Sequence, residues 1–315
     1  MSRCFREMVQ SRRQGGRLVC VGLDPDIGKI GKAVGTFPWT QLQLGKFFTA
    51  LIDATAEIAA AFKPNRAFFG GLGIDGSVAL QHIIAYIKAV APEVPIIIDP
   101  KYADIGKTND HYVREAFEVF GADAVTVHPY LGCEAMKPFL AQENKGIIVL
   151  CRTSNPGAGE FQDLEIPLAG ALLGEVERHF GREISTASLK LYEYVAYRVC
   201  TAWNINRNCG LVVGATYPEE LKRVREIVRE LLILIPGIGT QGGDLEASVR
   251  NSFGGDALVN SSSGILYAST TPNDFAEVAG REAEKLDLAI TDILTRITAE
   301  NVGQVQHLKV EGGGQ

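Results

Sequence analysis

Short apolar runs alternate with longer segments of helical periodicity along this chain. Eight runs, rich in β-branched and aliphatic residues, have the length and composition of buried parallel strands. They span residues 17–24, 61–69, 95–101, 123–129, 146–152, 210–216, 232–239 and 256–265. Apolar residues recur at helical spacing after each run, at 43–61, 77–91, 109–120, 134–142, 187–203, 218–231, 243–253 and 273–297. Eight strands, each followed by a helix, predict a closed (β/α)8 barrel, the TIM barrel.

An open, doubly wound sheet is the alternative architecture for such alternation. No glycine fingerprint of the GxGxxG or GxxxxGKT type follows the first strand, which disfavours that alternative. Residues 153–185 are too long for a simple strand-to-helix connection, so we expect an insertion, and long loops often act as lids or binding loops. We therefore expect one α/β domain over residues 1–315, with a flexible C-terminal tail at 306–315.

The stretch IIIDPKYADIGKT, residues 96–108, carries the strongest chemical signal. Three apolar residues run straight into Asp99, Lys101 and Asp104, as expected where a buried strand opens onto a site. Asp99 and Lys101 are two residues apart, which places them on one side of an extended strand. Two carboxylates around one ammonium predict perturbed pKa values and a functional site, although a surface salt-bridge cluster is the simpler interpretation. Thr108 has a simple alternative role as the N-cap of the next helix.

Polar residues also follow the other predicted strands, at the end of a barrel that carries chemistry. They are Asp24, Lys63, Asn65, His128, Thr153, Ser154, Asn155, Thr216, Tyr217 and Gln241, with loops rich in Gly, Ser or Gln at 236–241 and 260–264. Backbone N–H groups of such loops often bind phosphate. These residues by themselves indicate an enzyme that acts on a phosphorylated small molecule, with a lysine at its centre and no metal demanded.

Composition narrows the class of protein further. The chain has 315 residues and a net charge of −6, without a run of five basic residues, so neither nucleic acid nor a membrane surface is an expected partner. The six cysteines are scattered without CxxC pairs, which is typical of free thiols in a reducing compartment. The N-terminus lacks an apolar signal-peptide core, and no stretch approaches 18 apolar residues. We expect a cytoplasmic location.

The motifs, taken in order, resemble those of the orotidine 5'-phosphate decarboxylase family. DPKYADIGKT is similar to the family's DxKxxDIxxT signature. Six further segments resemble other landmarks of the family and follow one another in the family's order. They are CVGLDPD, FKPNRAFF, CRTSNPGA, GLVVGAT, LIPGIGTQGGD and VNSSSGILYAS. The similarity spans residues 18–268 and looks like the longer bacterial-type subgroup. The DxKxxD motif alone is shared with sugar-phosphate decarboxylases and synthases. The complete set of motifs in this order is highly specific for the orotidine 5'-phosphate decarboxylase family.

The resemblance implies decarboxylation of orotidine 5'-phosphate to uridine 5'-phosphate in pyrimidine biosynthesis, without a cofactor or metal. It makes Lys101 the proton donor to carbon 6, flanked by Asp99 and Asp104, with Lys63 paired to Asp99. It also implies a homodimer in which Asp104 and Thr108 reach the neighbouring subunit's site. The same resemblance implies which residues bind the substrate. Asp24 and Thr108 would bind the ribose, Ser154 the base, and Gln241 both the phosphate and the base. The loops that contain Gly237, Gly239, Ser263 and Gly264 would bind the phosphate.

Ser263 departs from the family's pattern. An arginine that contacts the phosphate usually stands there, in a motif like SRGI. Loss of two charge-assisted bonds would weaken phosphate binding by about two to four powers of ten. Arg152 or Arg66 could compensate, the serine could be a laboratory substitution, or the homologue could have drifted in activity. A related sugar-phosphate decarboxylase or aldolase-type lyase, and a weakly active nucleotide-binding homologue, remain the alternative functions.

Overall fold

Eight parallel strands form one sheet in the computed structural model, which describes residues 3–35, 40–181, 183, 188–238 and 242–311, with side chains through residue 301. They are β1 (Val19–Leu23), β2 (Ala61–Pro64), β3 (Ile97–Tyr102), β4 (Ala124–Val127), β5 (Gly146–Arg152), β6 (Cys209–Val213), β7 (Leu232–Pro236) and β8 (Ala257–Ser261). Consecutive strands pair from β3 to β8, β8 pairs with β1, and β1 with β2. A parallel bridge between Phe62 and Ile96 joins the two outer strands and closes the ring. The predicted (β/α)8 barrel is confirmed.

Helices surround this barrel, because their apolar faces cover the outside of the strands. The helices are α1 (Phe5–Gln14), α2 (Ile27–Val34), α3 (Thr40–Thr55), α4 (Arg66–Gly70), α5 (Gly73–Val90), α6 (Lys107–Arg114), α7 (Gly132–Leu140), α8 (Gly159–Gln162), α9 (Gly170–Phe180), α10 (Leu191–Arg198), α11 (Pro218–Val228), α12 (Leu245–Ser252), α13 (Ser263–Leu266) and α14 (Phe275–Glu311). In α5, for example, Leu80, Ile83 and Ile87 share one buried stripe. None of the helices in the described ranges has the length and apolar character needed to cross a membrane.

The amino-terminal end of the barrel is closed by α1. Phe5 and Val9 pack against the inward-facing side chains of the strands, among them Cys20, Ile97 and Leu258. Gly146 makes this close approach available, because a Cβ at that position would lie 2.3 Å from the Phe5 ring. The opposite end, where the strands terminate, is therefore where a substrate can enter.

Several element boundaries differ from those predicted. The second strand ends at Pro64, because the Asn65 side chain accepts the Ala67 N–H and starts α4 instead of continuing to residue 69. The eighth strand ends at Ser261, so Ser263 opens α13 and is not part of a strand. Helix α14 continues to Glu311, so residues 306–311 of the predicted tail are helical, whereas 312–315 lie outside the described residues.

The insertion predicted at 153–185 contains secondary structure of its own. Two short antiparallel strands, Glu165–Pro167 and Ser188–Lys190, flank α9, so the region predicted as the helix 187–203 begins as a strand. Val176 of α9 is fully buried, and the His179 ring lies 2.7 Å from the Ile227 carbonyl of α11. This part of the insertion packs on the outer layer of helices.

Candidate active site

A cavity of about 670 Å³ opens at the carboxyl ends of the strands. Its floor is built from inward-facing strand residues, because alternate side chains of each strand point into the barrel. The floor residues are Lys63, Asp99, Thr126, Leu150, Val212, Leu234 and Asn260. The polar residues Lys63, Asp99 and Thr126 come from β2, β3 and β4. The apolar residues Leu150, Val212 and Leu234 come from β5, β6 and β7. One side of the floor is therefore charged and the other apolar.

The charged side is organised around the Asp99 carboxylate. Lys63 Nζ donates a hydrogen bond to Asp99 Oδ2 at 3.1 Å, and Lys101 Nζ donates to Oδ1 at 2.8 Å. The Thr126 hydroxyl also donates to Oδ1, at 2.6 Å. Lys63 and Asp99 are only 5% and 6% exposed, while the Lys101 side chain is 47% exposed toward the cavity. One buried carboxylate is thus shared between a buried and an accessible ammonium.

Burial and pairing act in opposite directions on this cluster. Burial by itself would raise the pKa of Asp99, but Lys63, Lys101 and the hydrogen bonds from Lys101 and Thr126 together hold the pKa well below its usual range. Burial would lower the pKa of Lys63, but the charges of Asp99 and Asp24 outweigh it and raise that pKa. Both groups are therefore ionised across the neutral range, which makes the sequence-predicted site a buried array and not a solvated salt bridge.

The backbone at Lys101 is in the left-handed region, with φ +56°. Between Ile98 and Tyr102 the pairing of β3 with β4 shifts register, so the strand is bulged there. A lysine in this conformation costs about 1–2 kcal/mol, and the Thr126 hydroxyl helps to hold it by accepting the Lys101 N–H at 3.1 Å. The same-side placement predicted from strand alternation is reached through a bulge, which aims the lysine at the cavity.

Asp104 and Thr108 do not line the cavity of their own chain. Asn109, which is fully buried, holds the Asp104 loop: its side chain accepts the Asp104 N–H at 2.9 Å and donates to the carbonyls of Asp104 and Ala135. Thr108 is exposed on the second residue of α6, and Gly106 occupies the N-cap, so the capping role considered for Thr108 is wrong. The chain itself brings together Lys63, Asp99 and Lys101, but not Asp104.

Four of the predicted binding residues, Asp24, Ser154, Gly237 and Ser263, do line the cavity. Gly264 does not, and Gly239 and Gln241 lie outside the described residues. Asp24 Oδ1 and Asn260 Oδ1 are buried without a hydrogen-bond partner in the part of the chain that is described. Buried polar atoms are normally paired, so these two oxygens are candidates to accept bonds from a ligand.

Sequence reasoning assigned no role to several residues that shape the site. They are Lys29, Thr126 and Tyr267, which line the cavity, and Asn109, which fixes the Asp104 loop. Asn260, which also lines the cavity, was considered only as part of the loop 260–264. Thr126 carried a usable signal, since it is a hydroxyl at an inward position of an otherwise apolar strand. Asn260 carried the same kind of signal, since it is a polar residue at an inward position of β8. Lys29 and Asn109 stand in helices and Tyr267 directly follows one, so no strand periodicity marks them.

Comparison with known proteins shows to which family this barrel belongs. The model of the orotidine 5'-phosphate decarboxylase / HUMPS family matches residues 17–271. This chain belongs to that family. It is 42% identical over 284 residues to orotidine 5'-phosphate decarboxylase of Ralstonia pickettii (strain 12J), which covers 89% of this chain and 95% of that protein. The structure of Leishmania donovani OMP decarboxylase aligns with a TM-score of 0.70 at 33% identity, covering 90% of this chain and 99% of that one.

The sequence suggested Arg152 or Arg66 as the cation that would contact the phosphate if the arginine expected at position 263 is absent, and neither of them lies in the cavity. Arg152 is 3% exposed, bonds to Asp163 at 3.1 Å and stacks on the Tyr217 ring. Arg66 pairs with Glu115 at 3.2 Å and lines a different hollow. Neither arginine lines the active cavity, so the suggestion that one of them takes over the phosphate is wrong.

The described residues include no group of three or more His, Cys, Asp or Glu side chains placed to hold a metal ion. The acidic residues of the cavity are instead engaged with lysines, as for Asp99, or spread along the loop after β1, as for Asp24 and Asp26. What the site offers a family substrate is fixed positive charge beside a buried carboxylate.

Gly214 provides a test of the predicted base contact at Ser154. A Cβ on Gly214 would lie 2.7–2.9 Å from the Ser154 Cβ, Cα and backbone nitrogen. Because backbone atoms cannot swing aside as a flexible side chain can, Gly214→Ala is expected to displace Ser154 and lower kcat/KM for orotidine 5'-phosphate by about 10- to 100-fold. Steady-state kinetics check this, with Gly174→Ala on α9, where a Cβ would meet nothing within 4 Å, as the control. Unchanged kinetics of Gly214→Ala would mean that Ser154 does not need its present position.

Proposed function

We propose that this chain decarboxylates orotidine 5'-phosphate to uridine 5'-phosphate and that Lys101 protonates carbon 6 of the pyrimidine. The observation that carries the proposal is the Asp99 carboxylate shared between buried Lys63 and cavity-facing Lys101. Membership of the family and a relative of that name aligned over 95% of its length support the reaction. The floor geometry supplies the chemistry that this reaction needs.

The reaction breaks the bond between carbon 6 and the carboxylate carbon and leaves the electron pair on carbon 6. That carbanion has no neighbouring carbonyl to delocalise it, so a fixed ammonium beside it lowers the energy of the transition state. Lys101 Nζ then gives its proton to carbon 6, and the half-exposed amine regains a proton from solvent. The Asp99 carboxylate holds the Lys101 ammonium in place through the hydrogen bond to Oδ1. Its negative charge also disfavours the substrate carboxylate more than the transition state, from which the carboxylate charge is departing.

Substrate binding follows from the cavity lining. Asp24 Oδ1 is a buried acceptor without a partner among the described residues and suits a ribose hydroxyl. We assign Ser154 to the edge of the base and Gly237 and Ser263 to the phosphate end, because all three line the same cavity. The assignments of Gly239, Gln241 and Gly264 to phosphate, and of Thr108 to ribose, rest on the family motif. No cofactor enters this scheme.

We infer further that the active unit is a homodimer in which Asp104 and Thr108 act in the neighbouring site. Both residues lie outside their own cavity. Large apolar side chains are exposed in the loops and helix ends after β2 to β4: Ile74 is 82% exposed, Ile105 66% and Tyr130 81%. Exposed apolar side chains that cluster near one end of a barrel are typical of a protein interface, and a second copy would cover them while it receives Asp104.

Mixing two inactive variants tests the shared site. Lys101→Met and Asp104→Asn are each expected to lose most activity. In a mixed dimer one site combines the intact Lys101 of one chain with the intact Asp104 of the other, so about a quarter of all sites recover when the chains exchange at random. Activity is measured after co-refolding equal amounts. If Asp104 acts only within its own chain, the mixture stays as inactive as its parts.

A cytoplasmic location is part of the proposal. All six cysteines are free thiols in the structure, which suits a reducing compartment.

Loss of ultraviolet absorbance of orotidine 5'-phosphate tests the reaction, measured across a range of concentrations with a chelator present. Turnover that the chelator does not change supports the cofactor-independent decarboxylase. Absence of turnover at saturating substrate, by protein shown to be folded, would overturn the proposal. Borohydride treatment with a sugar phosphate then examines the aldolase-type alternative, because a Schiff-base lysine would be trapped and lose activity.

A further inference from the structure

The active cavity is lined by three cationic side chains in the described part of the chain: Lys29, Lys63 and Lys101. Two of these three already neutralise a carboxylate, since Lys63 and Lys101 both bond to Asp99. The substrate of the proposed reaction carries a phosphate monoester, and its charge approaches two at neutral pH. Lys29 is therefore the cation whose charge is not committed to the catalytic array.

The position of Lys29 links it to the departure at Ser263. Its Nζ lies 4.8 Å from the centroid of the Tyr267 ring, in a cation–π contact. Tyr267 is one helical turn beyond Ser263, and its N–H bonds to the Ser263 carbonyl at 3.2 Å. Lys29, Ser263 and Tyr267 all line the cavity. The Lys29 ammonium thus lies over the Tyr267 ring, which follows position 263 by one helical turn. The family motif has its arginine at that position.

Tyr267 is held rigidly enough to act as a platform. Its hydroxyl donates to the Asp24 carbonyl at 2.7 Å and accepts the Asp26 N–H at 2.7 Å. These two bonds tie the ring to the loop after β1, which leads directly into α2 and Lys29. A ring held at its hydroxyl in this way restricts the directions in which the Lys29 side chain can point and keeps the ammonium at the cavity wall.

The carboxylate nearest to Lys29 competes only weakly for it. Lys29 Nζ lies 3.7 Å from Asp26 Oδ2, beyond hydrogen-bond distance, and both side chains are nearly half exposed. The other oxygen of Asp26 is occupied, because Asp26 Oδ1 accepts the Lys29 backbone N–H at the start of α2. Exposed pairs of this kind contribute little, so a dianionic phosphate can take over the ammonium without breaking a strong bond.

We propose that Lys29 is a phosphate-binding residue of this enzyme and supplies from α2 the positive charge that Ser263 cannot. This proposal rests on the proposed function, since it takes the phosphate of orotidine 5'-phosphate as the ligand. The cation reaches the phosphate from the first turn of α2, which follows β1, whereas the family arginine would reach it from the segment after β8. The chain therefore keeps a charged phosphate contact although the motif has lost one.

Binding of uridine 5'-phosphate and of uridine separates the phosphate from the rest of the ligand. By titration calorimetry, Lys29→Ala is expected to weaken uridine 5'-phosphate binding by about 10- to 100-fold, the loss that one charge-assisted bond gives, and to leave uridine binding within about twofold. Lys29→Arg should retain most of the affinity. Lys32→Ala is the matched control, because Lys32 is on the same helix, is exposed and does not line the cavity.

A second substitution tests whether a cation at position 263 can replace Lys29 as the phosphate contact. Ser263→Arg, introduced into Lys29→Ala, is expected to restore uridine 5'-phosphate binding to at least the level of the unmodified chain. Thermal melting of each variant confirms folding, and Lys29→Gln replaces Lys29→Ala if the alanine variant does not fold.

The outcomes separate this proposal from the reaction itself. If the unmodified chain consumes orotidine 5'-phosphate but Lys29→Ala binds uridine 5'-phosphate as tightly as before, the lysine assignment is wrong and the decarboxylase stands. Equal weakening of uridine and uridine 5'-phosphate also overturns the assignment, because the lysine then acts on the nucleoside or on the fold. If the unmodified chain neither consumes orotidine 5'-phosphate nor binds uridine 5'-phosphate, the proposed function and the inference fail together.

Discussion

Replacing Lys101 by methionine is expected to lower kcat for orotidine 5'-phosphate by at least about four powers of ten. In the proposed mechanism Lys101 supplies the proton for carbon 6, and general-acid catalysis is worth about 10²- to 10⁴-fold. It also places a positive charge where the carbanion develops, and one such group is worth about 10²- to 10³-fold. Both effects come from one side chain, so the loss is larger than either alone, although the two do not simply multiply.

The change in Lys101→Met should be confined to the chemical step. The side chain is half exposed, and Asp99 retains its bonds from Lys63 and Thr126. We therefore expect a melting temperature within a few degrees of the unmodified chain and a KM altered far less than kcat. Single-turnover absorbance measurements give kcat, and Lys222→Met, an exposed lysine on α11, is the control. A kcat within tenfold of the unmodified value would remove Lys101 from the catalytic role.

The barrel could be predicted from the sequence because its strands are buried on both faces. Every residue of β1, β4 and β6 is buried, and such strands appear as continuous apolar runs. Strand ends were predicted less well where a local cap competes with the apolar pattern. Asn65 begins a helix in the middle of the run 61–69, so the phenylalanines that follow were assigned to a strand although they belong to α4.

Asp99 and Lys101 could be predicted to meet because they are close in the chain and stand at the end of a strand. The bulge that turns Lys101 could not, since it depends on the pairing of β3 with β4. The same limit applies to the cations. Strand order shows that Arg152, Arg66 and Lys29 all lie at the carboxyl end of the barrel, but a long side chain reaches several ångströms in any direction. Only the partners in space, Asp163, Glu115 and Tyr267, show which cation faces the cavity.

Replacing Asp99 by asparagine is expected to destabilise the fold by about 3–5 kcal/mol at neutral pH, the usual cost of removing one partner of a buried ion pair. Asparagine keeps the shape but leaves Lys63 with an uncompensated charge in a site where it is 5% exposed. Activity should fall as well, because the Lys101 ammonium loses the carboxylate that holds it in place beside the cavity floor. An exposed pair gives the control: Asp292→Asn, which removes one of the two carboxylate partners of Arg296 on α14, should cost less than about 0.5 kcal/mol.

The dependence of this cost on pH distinguishes a lost ion pair from a simple packing defect. In the folded chain the pKa of Asp99 is lowered, so its contribution is present above the unfolded value of about 4 and is lost as the pH falls through the folded value. The pKa of Lys63 is raised, so its contribution is present below about 10.4 and is lost as the pH rises through the folded value. In Asp99→Asn the main cause of that increase is gone and burial favours neutral Lys63, so the variant gains stability toward alkaline pH.

The difference in free energy of unfolding between the unmodified chain and Asp99→Asn should therefore be largest near neutral pH and smaller at both ends of the range. Urea denaturation at about pH 3, 7 and 10 measures it, with comparisons made within each pH so that the titration of other groups cancels. A difference that stays constant across the three pH values would show that Asp99 contributes by its shape and hydrogen bonds alone. The shared carboxylate would then not be an ionised partner of Lys63, and the electrostatic account of how Asp99 holds the Lys101 ammonium would fail with it.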